Sequence, residues 1–381
     1  MREAGMIIGV DLGGTKMLAG AVDESGRVVE QERDLTHAEE GADRVIGRLA
    51  RLISAIRERL GERAVEAISI GVPGGVDSAH GVVDRAPNLK WENVPLASIL
   101  SPLVGLPVLL DNDVRVAVVG EHAHGAGRSA RTMVGVWVGT GIGGGLFIDG
   151  RLHTGARGVA GEIGHMVVAK KGPVCSCGNR GCIESLASRT ALERALHEAV
   201  GKGARTEVWK RMKKKGRAEL SSSIIAWALE EKDPAMTRVF AKAQHALGIF
   251  TANLINAFDP EAIVFGGGLA ERLGERFVAP IREEAYRRAL SHRDLERIRI
   301  EATSLGETAP LIGAAVLARA RLHPETGTSP DLASFAAPAT PAAPVETIAP
   351  GGHVEPAVPV DPAEPAAPSS RPIASVPPNG H

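Results

Sequence analysis

MIIGVDLGGTKMLAGAV, residues 6–22, reads as a β-hairpin, with an apolar run at 6–11, a glycine turn and a second apolar run at 17–22. Such a turn can present successive backbone N–H groups from Gly13, Gly14 and Lys16, together with the Thr15 hydroxyl, to a phosphate. Asp11, at the strand end, can hold the hydration shell of a Mg²⁺ ion or orient water. Alone, DxGGT is a modest signal, because glycine pairs close many ordinary hairpins. It lacks the GK[ST] ending of a Walker loop and the strand-to-helix setting of a dinucleotide fingerprint. The same logic recurs further along. Residues 132–138 form a strand, Gly139-Thr140-Gly141-Ile142-Gly143-Gly144-Gly145 makes the turn, and a second strand runs through Ile148. Two such hairpins point to two related α/β half-domains facing one nucleotide.

Between the hairpins, residues 37–60 carry Val45, Leu49, Leu52, Ile53, Ile56 and Leu60 at helical spacing. A strand at 67–71 ends in Val72-Pro73-Gly74-Gly75, where Gly74 either offers bare backbone to a ligand or simply turns the chain. Asn88 lies in a loop, as a reader of hydroxyls or as a turn residue. A strand at 107–110 delivers Asp111-Asn112-Asp113 to its carboxyl end, with a helix starting near Val114. Polar residues at such an edge are where α/β proteins place chemistry, and a carboxylate here can accept a proton from a substrate hydroxyl. An Asn/Asp cluster also caps helices, which accounts for at least one of the three.

Beyond the second hairpin, GEIGHMVVAKKGPVCSCGNRGCIE, residues 161–184, holds all three cysteines. Cys175, Cys177 and Cys182, with His165 as fourth donor, make a Cys₃His set of the kind that closes a tetrahedral structural zinc site. Glu162 and Glu184 ride on its two ends. A helix at 184–199, a basic stretch, helices at 222–230 and 234–258 and a strand at 261–265 follow. That strand runs into Gly266-Gly267-Gly268, a seat for a base or a ribose phosphate at a helix start. A small-residue helix at 307–321 ends the globular part. From 324 to 381 alanine and proline dominate, a composition that predicts a disordered tail.

Composition narrows the classes. With 44 Lys and Arg against 45 Asp and Glu, the chain lacks the basic excess of a nucleic-acid binder, and Lys210 to Lys215 reads as a solvated helix face. No apolar run approaches a bilayer span and no signal-peptide core precedes the first strand, so a soluble cytoplasmic protein is expected. Clustered cysteines in a reducing compartment favour metal ligation over disulfides.

VDLGGTK (10–16), NDxxxxxxGE (112–121), GTGIGGG (139–145), GEIGH (161–165), CSCGNRGCIE (175–184) and VFGGG (264–268) together resemble the ROK family of sugar kinases, and most of all bacterial ATP-dependent glucokinases. The resemblance implies the actin-like ATPase fold of sugar kinases and Hsp70, with ATP and sugar in an interdomain cleft. The domains would be 1–113 plus about 310–322, and 114–309 with a zinc knuckle at 165–182. It implies Asp113 as the general base for the sugar's primary hydroxyl. Asn112, Glu162, His165, Glu184, Gly74 and Asn88 would line the sugar, His165 while also ligating zinc. Asp11, Gly13, Gly14, Thr15 and Lys16 would form the first phosphate segment, Thr140 and Gly141 the second, and Gly267 and Gly268 the adenosine turn. The implied cofactors are Mg²⁺ and structural Zn²⁺ with ATP as donor, and the implied assembly is a homodimer or homotetramer. The sugar would be glucose, with N-acetylglucosamine, N-acetylmannosamine or fructose as alternatives. ROK repressors, which bind sugar and DNA, carry a winged-helix segment before the first hairpin, and the few residues here before the first strand leave no room for one. A silent sugar sensor is opposed by retention of Asp113. The sequence departs from the family pattern at Val114-Arg115-Val116, where small residues and an asparagine are usual. Arg115 is therefore expected to alter packing beneath the sugar or to reach toward a substituent.

Overall fold

The computed structural model of the chain describes residues 5–61 and 63–324. The tail expected to be disordered lies, from 325 on, outside the described residues. Strands β1 (Met6–Leu12), β2 (Lys16–Val22) and β3 (Val28–Leu35) form an antiparallel meander, and helix α1 (Ala42–Leu60) returns the chain to β4 (Val65–Val72), parallel to β1. A small antiparallel sheet of β5 (Gly75–Asp77), β6 (Val82–Ala86) and β7 (Trp91–Val94) precedes α2 (Leu96–Val104). Strand β8 (Val108–Asn112) then joins β4 in parallel, closing a sheet of order β3-β2-β1-β4-β8.

Helix α3 (Asp113–His124) leads to a second sheet on the same plan. Its meander is β9 (Met133–Val138), β10 (Ile142–Ile148) and β11 (Arg151–Leu152). Five helices follow: α4 (Ile183–Ala187), α5 (Arg189–Gly201), α6 (Val208–Lys214), α7 (Ser222–Glu230) and α8 (Pro234–Phe258). Strand β12 (Ala262–Gly266) pairs in parallel with β9. After α9 (Gly268–Leu273) and α10 (Glu275–Arg288), β13 (Arg299–Ala302) pairs in parallel with β12, giving the order β11-β10-β9-β12-β13. Helix α11 (Ala309–Leu322) completes the described chain.

The apolar spacing of α1 buries Val45, Ile46, Leu49, Leu52, Ile53, Ile56 and Leu60 against Ile8, Val10, Ile68 and Ile70 of the first sheet. Full burial of such side chains contributes about 1.5–3 kcal/mol each. Phe250, Phe265 and Phe277 anchor the core of the second sheet. Helix α11 serves both sheets. Leu311, Ile312, Ala315 and Ala318 pack on Ile7, Leu18 and Ala67, while Ala314, Val316 and Leu317 pack with Val116, Val118 and Phe147. Its crossing with α3 is closed by glycine: a Cβ on Gly313 would lie 1.7 Å from the Val116 carbonyl oxygen, and one on Gly120 would lie 2.2 Å from that of Ala309.

Two elements differ from expectation. The helix expected at 37–60 begins at Ala42, because Gly41 takes φ +89° after a single 3-10 turn at Ala38–Glu40. The helix expected at 184–199 is two, broken at Ser188, whose hydroxyl accepts the Ala191 N–H at 3.1 Å and caps α5. The basic stretch includes α6, whose Val208 and Met212 are buried while its lysines face solvent. No helix among the described residues is long and apolar enough to cross a membrane.

Candidate functional site

Parallel pairing sets Asp11 on β1, Gly71 on β4 and Asp111 on β8 abreast at the carboxyl edge of the first sheet, with Val72 and Asn112 one step beyond. Asn112 ends β8 and caps α3: its Oδ1 accepts the N–H groups of Val114 and Arg115 at 3.1 Å each, and its Nδ2 donates to the Gly74 carbonyl at 3.1 Å. One N–H of that amide remains for a ligand. Gly74 takes φ +91°, and a Cβ there would lie 2.2 Å from the Arg85 carbonyl oxygen, so only glycine fits this turn. Asp113 is the first residue of α3, half-buried, with Oδ1 accepting the Val114 N–H at 2.8 Å. Burial, then the negative charge of Glu162, hold its carboxyl above the usual range, against the pull of that N–H.

Asp11 is more strongly perturbed. Burial first, then the charge of Asp113, push it from 3.8 up to about 7, opposed by Lys16 and reinforced by Glu271 and Glu307. Those partners show what the fold gathers here. Glu271 comes from α9, just past the Gly267 and Gly268 turn, and Glu307 from the turn before α11, with its carboxylate 4.0 Å from Lys16 and 2.6 Å from Arg33. A divalent cation would relieve this crowding, so the donor set fits a Mg²⁺ shell held by Asp11. Gly14 packs on the backbone of the exposed Asn88: a Cβ on Gly14 would meet the Asn88 carbonyl oxygen at 2.7 Å. Thr36, unremarked in the sequence, is fully buried and braces the first turn, donating from its hydroxyl to the Gly13 carbonyl at 2.6 Å and from its N–H to that of Thr15 at 2.9 Å.

In the second hairpin, Thr140 and Gly141 are held by residues that sequence reading also passed over. Arg189 donates to the Thr140 hydroxyl oxygen, and the Thr190 hydroxyl donates to the Thr140 carbonyl at 2.9 Å. Their one signal was the Ser188 cap that places Arg189 and Thr190 in the first turn of α5. Gly267 seats against the end of β9, where a Cβ would lie 2.6 Å from the Val138 carbonyl oxygen. Among the described residues no hydrogen bond or ion pair joins Thr140 or Gly141 to residues 13–16.

The four expected metal ligands do come together. The donor atoms of His165, Cys175, Cys177 and Cys182 all lie within 4.8 Å of one another. Zn–S bonds of about 2.3 Å and Zn–N bonds of about 2.0–2.1 Å define a tetrahedron with S···S edges of about 3.8 Å and S···N edges of about 3.6 Å. Cys177 and Cys182 Sγ are 3.7 Å apart, and Cys175 Sγ is 3.5 Å from His165 Nδ1. The knuckle is tight, with Cys175 N–H on the Asn179 carbonyl at 2.7 Å and Gly178 N–H on the Cys175 carbonyl at 3.0 Å. Burial and the neighbouring thiols push Cys182 up to about 12, a cost that a divalent cation would reverse.

With Nδ1 turned to the sulfurs, His165 directs Nε2 toward Glu162, 3.8 Å away. Glu162 is exposed, and its charge is felt at Asp113. Glu184 Oε2 accepts the Ile142 N–H at 2.9 Å and Oε1 accepts from Ser176 Oγ at 3.2 Å, which leaves a lone pair on each oxygen for a further donor. Arg115 lies within the protein on two partners. It meets Asp111 at 3.0 Å and donates to the Gly158 carbonyl at 2.7 Å, with its side chain 14% exposed.

Two sheets of one plan, each opening with a glycine hairpin and joined by α3 and α11, are the actin-like ATPase fold as sugar kinases build it. The chain belongs to the ROK family, whose family model matches residues 7–321. It is 36% identical over 317 residues to a glucokinase of Thermotoga maritima, covering 83% of this chain and 98% of that one. The structure of a ROK family glucokinase from Streptomyces griseus in complex with glucose and AMPPNP superposes with a TM-score of 0.71 at 34% identity, covering 83% of this chain and 99% of that one. A xylose repressor of Caldicellulosiruptor bescii is 32% identical over 316 residues, 82% of this chain and 77% of that one.

Proposed function

We propose that this ROK protein is an ATP-dependent sugar kinase that phosphorylates the 6-hydroxyl of glucose. The observation that carries the reading is the placement of Asp113. It sits at a strand-to-helix junction, with Glu162 of the knuckle segment on one side and Asp11 of the first phosphate hairpin on the other, close enough for each charge to act on the next. The acceptor is aligned by Glu162, His165 Nε2, the spare N–H of Asn112 and the Gly74 and Asn88 wall. Asp113 takes the hydroxyl proton as that oxygen attacks the γ-phosphorus, and the bond to the β–γ bridging oxygen breaks to release ADP. Backbone N–H groups of residues 14–16 and 140–141, with the hydroxyls of Thr15 and Thr140, hold the phosphates on a turn that the Gly13 N–H closes onto the Lys16 carbonyl at 3.0 Å, and the turn at Gly267 and Gly268 seats the adenosine. Mg²⁺, held through Asp11, neutralises phosphate charge when bound. Zinc in the Cys₃His set is structural: with four protein donors it keeps no open position for water. Residues 1–113 with 310–322, and 114–309, are the two domains closing on the cleft.

The repressor among the relatives keeps a sensor in view. A panel of glucose, mannose, fructose, N-acetylglucosamine and N-acetylmannosamine with Mg-ATP, scored by sugar-dependent ADP release, tests both. Glucose is expected to give the highest kcat/KM. Preference for an N-acetylhexosamine or fructose overturns the glucose assignment, and sugar binding with no turnover on any member establishes the sensor.

A further inference from the structure

Asp111 is 1% exposed and is already matched by Arg321, whose guanidinium lies 2.6 Å from its Oδ2. A second cation is not needed to neutralise it, yet Arg115 lies 3.0 Å from Oδ1. Both guanidiniums are mostly buried, so the N–H groups not spent on Asp111 demand further acceptors. Arg321 finds the Leu110 carbonyl at 3.0 Å, and Arg115 finds the Gly158 carbonyl at 2.7 Å. Hydrogen bonds from a charged donor are about twice as strong as neutral ones.

Gly158 lies within residues 153–161, which run from the end of β11 directly into Glu162. Three glycines there, at 155, 158 and 161, take φ of 74°, 73° and 106°. The remaining hydrogen bonds of residues 154–160 are internal, Gly158 N–H to the Gly155 carbonyl at 3.3 Å and Ala160 N–H to that of Thr154 at 2.9 Å. Among the described residues, the Arg115 bond is the one hydrogen bond that reaches residues 154–160 from outside; at the start of the loop the His153 N–H bonds the Leu146 carbonyl at 2.8 Å. Arg157 and Val159 are exposed, so the loop has little burial of its own to hold it.

We infer that Arg115 is a positioning residue: it straps the 153–161 loop to the β8–α3 junction and thereby fixes Glu162, and with it the sugar wall, relative to Asp113. The strap is anchored on Asp111, two residues before Asp113, and gripped by Arg115, two residues after it. The loop therefore moves as one piece with the base-bearing segment. The link to sugar rests on the kinase reading above, whereas the link to the loop does not.

Limited trypsin digestion of the full chain, with cleavage after Arg157 followed by mass spectrometry, reads the strap without reference to activity. Arg115→Ala and Arg115→Lys are the variants. Lysine keeps a cation beside Asp111, but its single ammonium replaces the fork that spans both acceptors. Both variants are expected to be cut after Arg157 about tenfold faster than the parent. Both should raise the KM for sugar by about tenfold while the KM for ATP stays within about twofold. If the alanine variant fails to fold, the lysine variant decides. A lysine variant with the parental melting temperature and an unchanged cleavage rate after Arg157 overturns the strap. Faster cleavage with an unchanged sugar KM overturns the positioning role. A parent that turns over no hexose removes the kinase reading, and the cleavage rates then still decide whether Arg115 holds the loop.

Discussion

The α3–α11 crossing gives the sharpest test of how the fold carries the site. Gly313→Ala places a methyl 1.7 Å from the Val116 carbonyl oxygen and 2.6 Å from the Gly120 nitrogen, where ordinary contact begins at 3.4 Å. Both obstacles are helix backbone, so no rotamer change makes room and the helices must part by about 1.5 Å. Overpacking of this severity costs about 3 kcal/mol, at the upper end of the usual range. Alanine's better helix propensity returns only about 0.5–1 kcal/mol. The net loss of about 2–2.5 kcal/mol lowers the melting temperature of a chain this size by about 3–4 °C. Gly47→Ala in α1 is the control, because the nearest atom to its Cβ is the tip of Arg51 at 3.9 Å. Free of clash, it should stabilise by about 0.5–1 kcal/mol. Differential scanning calorimetry of the two variants should therefore show shifts of opposite sign. Since α3 begins at Asp113, Gly313→Ala should also lower kcat. A Gly313→Ala protein that melts at or above the parental temperature would refute the claim that this crossing is closed to a methyl group.

Asp113→Asn should cut kcat by about 10²–10⁴-fold while sugar binding, followed by calorimetry, survives, because only the proton acceptor is lost; an active variant removes Asp113 from that role. Glu162→Gln removes a negative charge that raises the Asp113 pKa. The base works ionised and is lost as pH falls through its raised pKa, so the acid limb of the kcat/KM profile should move to lower pH, with Asp11 as the remaining acid facing it. An unmoved limb would place Asp113 outside the field of Glu162. Cys177→Ser should lower zinc content, measured by plasma mass spectrometry, and sugar affinity together; full sugar affinity in zinc-free protein would separate the metal from the pocket.

Much of this was legible in the sequence where one residue type has one physical use. Glycine at tight turns marked both hairpins, and apolar spacing marked α1 and β4. Three cysteines with a histidine marked the knuckle, whose donors converge as their spacing implies. Elements whose residues are ambiguous were missed. Strand β3 reads VVEQERDL and, at a sheet edge, exposes half of its side chains and fully buries none, so it lacks the apolar run that identifies a buried strand. The break in the helix of 184–199 had one signal, Ser188, a residue that favours the cap over the helix interior, and the apolar and charged residues on either side read as continuous helix. Roles that depend on tertiary partners were illegible. The i,i+4 pairing of Asp111 with Arg115 is visible in the sequence, but the Gly158 carbonyl, 43 positions away, is not. Thr36 likewise looks like any strand-end threonine until the first turn is folded against it.

The position of Glu184 changes what the knuckle does. The Glu184 carboxylate accepts the Ile142 N–H of the second hairpin through one oxygen and the Ser176 hydroxyl within the knuckle through the other, and each oxygen keeps a lone pair for a further donor such as a sugar hydroxyl. A Cβ on Gly141 would lie 2.4 Å from that carboxylate, so the turn is shaped around it. The segment that holds four metal donors therefore reaches two places at once. At its beginning, His165 lies beside Glu162, whose charge acts on Asp113, and at its end Glu184 pins the turn that carries Thr140. One ion bound between those ends would set acceptor and donor sides in a single frame, which is what alignment of an oxygen with a phosphorus demands. A zinc ion held there would act on the chemistry through position alone, with its four protein donors leaving no place for a reacting atom.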